Sequence, residues 1–383
     1  MRRCATSIRT TPISTTGTGD DPLHQAALMP RKLRAPALAV MLISLGGMLV
    51  VGGARAADTA TAEEALERLR VGPEQRRALL RGDVISYTVG ERGERELAVG
   101  LAVFVPAALA PLTEYLVAGE LLARDATITA HGLIPDPTNP GTLPTIEHTG
   151  RERQEAESLL EAAPGTRFNL AAAELETFRS LRATPAGSGR VPLEQVSDTY
   201  RRVLRDRAQA YQRGGLPAIL PYARGGDAVT DPAAELRLAL PDAERVARYG
   251  RELRDALASY PAAQPPGALH RFYWVKRRVQ RRPDLSLLHQ MVIADPELVV
   301  HVERYFYVGH SYNAAQIITG AFAYQGGAVL FATSRFSTDE VLGVGNQLKR
   351  SVGRAQLRDE MRKRLEGVRN SLSRVGSPPP QTP

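Results

Sequence analysis

Residues 298–334 read LVVHVERYFYVGHSYNAAQIITGAFAYQGGAVLFATS, and this stretch gives the clearest indication of the fold. It contains three runs rich in aliphatic, aromatic and β-branched residues, at 298–308, 317–324 and 328–334, a composition typical of β-strands. Gln325-Gly326-Gly327 joins the last two runs and is a favourable hairpin turn. Two similar runs, 271–279 and 285–294, precede them. The segment therefore predicts a series of antiparallel strands.

The chain before residue 135 predicts the other strands of the sheet. From Glu96 to Pro106, aliphatic residues at 97, 99, 101, 103 and 105 alternate with Ala98, Gly100, Ala102 and Phe104, and this period of two is typical of a strand. A shorter strand at 83–89 and a polar turn at 91–94 come before it, so the two strands are predicted to form a hairpin. Helical spacing follows at 109–122, and a further strand at 125–134.

The middle of the chain has helical periodicity. Helical patterns are predicted at 151–183, 193–213 and 232–257, and they are separated by stretches rich in Gly and Pro. Within the first, Asn169 is the predicted N-cap of a helix at 171–182. The last is predicted to break at Pro241. Ser337-Thr338-Asp339-Glu340 has the composition of a helix start and opens a long C-terminal helix. The predicted apolar face of that helix contains Val341, Val344, Leu348, Val352, Met361, Leu365, Val368 and Leu372.

These elements predict an α+β protein. Its parts are N-terminal helices and first strands at 57–149, a large helical insertion at 150–265, strands and the long helix at 266–375, and a disordered tail at 376–383. The order of elements over 83–134 and 271–372 resembles the helix-grip superfamily of START-like lipid-transfer and polyketide-cyclase proteins. The resemblance implies a curved antiparallel sheet wrapped around the C-terminal helix, an apolar ligand cavity between them, and no fixed catalytic set. The residues expected to line that cavity are Leu287, Val300, Phe306, Phe331, Leu348 and Val352.

The N-terminus predicts export. Arg31, Lys32 and Arg34 precede an uncharged run at 35–54, and Ala54-Arg55-Ala56 follows with the small residues that a signal peptidase recognises. Residues 29–56 are therefore interpreted as a signal peptide, and residues 1–28 as a non-native leader or a disordered tail. The alternative is an anchor retained at 35–54, which is long enough to span a bilayer. Both interpretations place the bulk of the chain outside the cytoplasm.

The formal charge of +8 is unevenly distributed. Residues 1–56 carry a net charge of +5, residues 57–270 carry −5, and residues 271–383 carry +8. For an exported chain, a basic C-terminal third favours an anionic lipid surface or an acidic partner over nucleic acid. The predicted membrane-facing residues are Arg271, Trp274, Lys276, Arg277, Arg278, Arg281 and Arg282.

The catalytic signals are weak. Gly309-His310-Ser311-Tyr312-Asn313 resembles the G-x-S-x-G nucleophile elbow of α/β-hydrolases, with Asn313 in place of the last Gly. In that fold the histidine follows the serine, but His310 is the last histidine of the chain. His289, His301, Glu303 and His310 do not have the spacing of a zinc site. No catalytic residue, metal or cofactor is predicted.

The sequence thus predicts an exported, non-catalytic protein that binds an apolar, lipid-like ligand or docks on the envelope membrane surface. Two alternatives stay open. One is an interaction or assembly protein that uses the acidic helical middle as its partner surface. The other is a serine hydrolase at Ser311.

Overall fold

The computed structural model describes residues 62–136, 143–147, 149–183, 191–241, 250–279 and 281–375. The predicted leader, signal peptide or anchor, and C-terminal tail lie outside these residues. Within the described ranges, no helix is both long enough and apolar enough to cross a membrane.

Ten strands are described, and eight of them form one antiparallel sheet in the order β1-β2-β10-β9-β8-β7-β6-β3. The other two, β4 and β5, form a separate two-stranded hairpin in the Gly- and Pro-rich stretch between the predicted helices at 193–213 and 232–257. The strands are β1 Ile85–Tyr87, β2 Glu96–Val105, β3 Ile128–Leu133, β4 Tyr222–Gly225, β5 Ala228–Thr230, β6 Leu269–Val279, β7 Arg282–Ala294, β8 Leu298–Val308, β9 Ala314–Tyr324 and β10 Gly327–Ser337.

The helices lie on both faces of the large sheet. In chain order they are α1 (62–68), α2 Pro73–Leu80, α3 Leu109–Ala118, α4 Glu120–Ala123, α5 Gly150–Leu160, α6 Ala172–Ala183, α7 Leu193–Gly214, α8 Pro232–Leu238, α9 Gly250–Ser259 and α10 Asn346–Val375. The α+β architecture, with a large antiparallel sheet and a long C-terminal helix, is confirmed.

The helical stretch predicted at 151–183 forms two helices, and the second begins at Ala172, close to its predicted start at Ala171. These helices, α5 and α6, are separated by residues 161–171. Pro164 and Gly165 lie in this break, and Gly165 has a φ of 155°. A proline followed by a glycine in that conformation ends a helix, so the two halves can pack in different directions.

β10 lies between β2 and β9 and joins the N-terminal strands to the C-terminal strands of the sheet. It pairs with β9 through a two-residue turn and with β2 along its whole length, so that Leu330 lies between Val103 and Ala321. The turn residues Gln325 and Gly326 both have positive φ, as a type I′ turn requires. The predicted hairpins at β1–β2 and β9–β10 are therefore confirmed.

Each face of the sheet packs against its own set of helices. On the first face, β2, β8, β9 and β10 share a core with α3, α4 and α10, and this core includes the strand residue Val103 and the helix residue Met361. On the second face, the helical middle packs against β7 and β8, where Tyr211 shares a core with Leu287 and Phe306. The helices of 150–265 therefore cover one side of the sheet.

The C-terminal helix differs from the prediction at its start. A 3-10 turn at Asp339–Val341 and two glycines with positive φ, Gly343 and Gly345, delay the helix to Asn346. The side chains predicted to be buried at Val344, Leu348 and Val352 are 97%, 72% and 55% exposed, so that part of the prediction is wrong.

The spacing of the apolar residues in α10 explains this exposure. Val352 precedes the buried Met361 by about two and a half helical turns, which places the two side chains on opposite sides of the helix. The early apolar residues of α10 therefore do not belong to the stripe that packs on the sheet.

A close approach between β9 and β10 gives a test of this packing. Gly320 pairs with Phe331, and a Cβ atom at residue 320 would overlap Cζ of that ring. Gly320→Ala should therefore lower the free energy of unfolding by about 1–3 kcal/mol, as measured by urea denaturation.

The matched control is Gly367→Ala on α10, where a Cβ atom meets open space. Alanine favours the helix there, so the control should be neutral or stabilising. Equal destabilisation of both variants would contradict the described packing.

Candidate functional site

A cavity of about 690 Å³ lies between the first face of the sheet, the α3–α4 segment and α10. This volume falls within the roughly 300–1,000 Å³ typical of small-molecule sites. We call it the helix cavity. Its apolar wall is formed by Leu121, Ile317, Phe336, Leu357, Met361 and Val368.

Arg277 of β6 and Tyr305 of β8 form one polar part of the wall. Nη2 of Arg277 donates a hydrogen bond of 2.6 Å to the Tyr305 hydroxyl, and the guanidinium lies 4.7 Å from the centre of the Tyr305 ring. Nε of Arg277 is buried and has no hydrogen-bond partner. Among the described residues, no carboxylate forms an ion pair with Arg277.

An ion pair links the sheet to α10 beside the cavity. Nη2 of Arg364 lies 2.6 Å from Oε2 of Glu303, and the two side chains are only 14% and 1% exposed. Arg364 also lines the cavity, and its Nε has no hydrogen-bond partner. Ser334 of β10 adds a buried hydroxyl to the wall that likewise has no partner.

The surroundings of these groups fix their charges at neutral pH. Burial opposes the charged form of Arg277, but Tyr305, Tyr312 and nearby carboxylates outweigh it and hold the pKa of Arg277 above its ordinary value. Burial also opposes the charge of Arg364, yet Glu303 holds the pKa of Arg364 above its ordinary value. Burial raises the pKa of Tyr305 to about 12, so its hydroxyl stays protonated. The inner wall thus presents two cations and one adjacent carboxylate.

The charges at the mouth of the cavity are largely paired with each other. Arg124 binds Glu120 at 2.8 Å, and Lys363 binds Asp359 at 2.6 Å. Asp125 accepts hydrogen bonds from the backbone N–H and the hydroxyl of Thr127. Among the described residues that line the cavity, Arg277 is therefore the cation without an ion pair, and the carboxylates Asp125 and Glu360 also line the cavity without contacting it.

The structure does not bring the six predicted ligand-binding residues together. Leu287 and Phe306 pack beneath the helical middle, and Val300 and Phe331 pack in the core that includes the N-terminal helices. Leu348 and Val352 are exposed on the first turns of α10. None of the six lines the helix cavity. The β8 residue that lines it is Tyr305, on the opposite face of the strand from Phe306.

Most of the predicted membrane-facing residues take part in the fold. Lys276 and Arg282 form ion pairs with Glu152 and Glu155 at 2.9 Å and 2.7 Å. Arg271 donates a hydrogen bond to the Val117 carbonyl, and Trp274 packs on the core of the second face. Arg277 lines the helix cavity. Arg278 and Arg281 are exposed. The basic surface at this strand is therefore smaller than the sequence suggested.

Ser311 has a neighbouring base that the sequence analysis missed. Tyr312 N–H donates to the His310 carbonyl across Ser311, whose φ is 73°, so the three residues form a strained γ-turn. Nε2 of His310 lies 2.8 Å from the Pro283 carbonyl, which can only accept a hydrogen bond. In a neutral His310, Nδ1 is then free to accept the hydroxyl proton of Ser311, to which it is hydrogen-bonded.

A second cavity near His310 is much smaller. Its volume is about 50 Å³, and Glu152, Glu155, Lys276 and Asp284 are among its lining residues. Such a volume holds one or two water molecules rather than an organic ligand. The helix cavity is therefore the stronger candidate for a ligand site.

The histidines do not assemble into a metal centre in the described part of the chain. There, no three His, Cys, Asp or Glu side chains are grouped so that they could hold a metal ion. Comparison with protein-family models, curated proteins and solved structures finds no match to this chain.

His301, beside Glu303, provides a pH test of this face of the sheet. Its ring is fully buried, neither ring nitrogen has a hydrogen-bond partner, and burial lowers its pKa to about 4. In the unfolded chain, His301 takes up a proton near pH 6.5. Above that pH the ring is neutral in both states, so the contribution of His301 to the free energy of unfolding is fully present. It is lost as the pH falls toward 4, by on the order of 3 kcal/mol.

His301→Gln should therefore flatten the fall in unfolding free energy between those pH values, measured by urea denaturation across the range. The control is His131→Gln, because His131 is exposed on β3. A variant at residue 301 with the same pH profile as the wild type would show that His301 does not titrate in this way.

Proposed function

We propose that this chain is a non-enzymatic binding protein that holds a hydrophobic small molecule in the helix cavity. The observation that carries the proposal is the cavity itself, whose volume and apolar wall suit a small ligand. The wall draws on the sheet, on α4 and on α10, so ligand contacts come from three parts of one folded unit.

The sequence resemblance supports the same proposal. A helix-grip protein is expected to have an antiparallel sheet, a long C-terminal helix packed on it and a ligand cavity between them. The sheet order, α10 and the helix cavity are consistent with each of these expectations. The N-terminal sequence pattern supports the further proposal that the protein is exported.

The assembly alternative receives less support. α7 is the longest helix of the described middle region, and Val196, Tyr200 and Leu204 of its apolar face are buried. That face packs with the sheet residues Leu287 and Phe306. A partner surface would have to use the remaining polar faces of these helices.

A second candidate function is acyl hydrolysis at Ser311, favoured by the hydrogen bond to His310. The binding proposal predicts that a fluorophosphonate probe, which reacts with activated serines, does not label the protein. The measurement is in-gel fluorescence, with a known serine hydrolase as the positive control. Labelling of the wild type that is lost in Ser311→Ala would instead support the hydrolase.

Filling the helix cavity tests the binding proposal directly. Gly367 lines the cavity, and a Cβ atom added there meets open space. Gly367→Trp should weaken binding of the neutral dye Nile red by about tenfold or more, because the indole occupies ligand space. Gly367→Ala is the matched control and should bind the dye as the wild type does. Unchanged binding by the tryptophan variant, with folding verified by circular dichroism, would contradict the proposal.

A further inference from the structure

Arg277 is a charged group in an unusual position. Its buried Nε has no hydrogen-bond partner, and its Nη2 bonds to the hydroxyl of Tyr305. A phenol is a neutral acceptor, so it does not balance the guanidinium charge. A cation held inside a cavity without a contacting counter-charge is costly, and such a position needs a physical explanation.

Nearby acidic groups do not supply that counter-charge by direct contact. Glu303 pairs with Arg364, while Asp125 and Glu360 lie in the cavity wall without an ion pair to Arg277. Asp284, opposite Arg277 in the β6–β7 pairing, bonds to the Ser286 hydroxyl and to the backbone N–H of His310. The guanidinium of Arg277 therefore keeps an unused donor and has no carboxylate in contact.

Two further polar atoms of the same cavity wall are unused. They are Nε of Arg364 and Oγ of Ser334, both buried and both without a hydrogen-bond partner. Arg277, Arg364 and Ser334 thus place polar side chains in the wall of the cavity, beside its apolar residues. A few placed donors in an apolar cavity are the usual means of orienting a ligand.

From this arrangement we propose that the ligand of the helix cavity is an amphiphilic carboxylate whose head group binds Arg277. Its apolar body would lie against Leu357, Met361 and Val368 of α10. The inference rests on the proposed binding function and specifies its ligand class. A single negative charge matches the one guanidinium without an ion pair, whereas a dianionic phosphate would bring a second charge close to Glu303.

The test compares two ligands that differ only at the carboxyl group, which is ionised in one and methyl-esterified in the other. They are cis-parinaric acid, a fluorescent fatty acid, and its methyl ester, each titrated into the full chain. The acid should bind the wild type about tenfold or more tightly than the ester, because a charge-assisted hydrogen bond is lost in the ester. Arg277→Met should reduce this preference to within about twofold, because the affinity for the acid falls toward that for the ester. The matched control is Arg362→Met, an exposed arginine on α10 that does not line the cavity.

The outcomes separate the two proposals. Equal affinity of acid and ester for the wild type would overturn the carboxylate inference but would not contradict the proposed binding function. Absence of binding by both ligands and by Nile red would overturn the binding function itself. Displacement of the probe by dodecyl phosphate more readily than by laurate would overturn the choice of a carboxylate. The comparison of acid and ester affinities for the wild type tests the carboxylate inference even if Arg277→Met fails to fold.

Discussion

The ion pair between Glu303 and Arg364 constrains the position of α10 on the sheet. A carboxylate as deeply buried as Glu303 would cost several kcal/mol if it had no partner. The helix must therefore lie in the register that places Arg364 over β8. Met361 and Val368, about one turn to either side, are then directed at the sheet, and the helix cavity remains between these contacts.

The two faces of the sheet differ in how fully they are filled. On the second face large rings meet closely, and Tyr211 stacks on Phe306 with 4.0 Å between ring centres. On the first face β9 and β10 present small residues, among them Ala315, Ala332 and Ser334. Small side chains beneath a long helix leave space, which gives a physical reason for a cavity on this face and close packing on the other.

Periodicity predicted the strands and the long helix well, because both follow from local spacing. It could not show which face of β8 points to α10, since every residue of this strand is buried. The polar side of a strand is normally expected to face solvent. Glu303 is nevertheless buried, because Arg364, far along the chain, forms an ion pair with it. The unused donor atoms of Arg277 and Ser334 depend on contacts between distant segments, so local spacing could not indicate them.

Occupancy of the helix cavity by a hydrophobic ligand is measured most directly by NMR, through contacts between bound oleate and the methyl groups of the methyl-labelled protein. We predict nuclear Overhauser effects from the alkyl chain to Leu357, Met361 and Val368. Effects confined to the exposed Val344, Leu348 and Val352, or none at all at saturating oleate, would contradict a ligand site in this cavity.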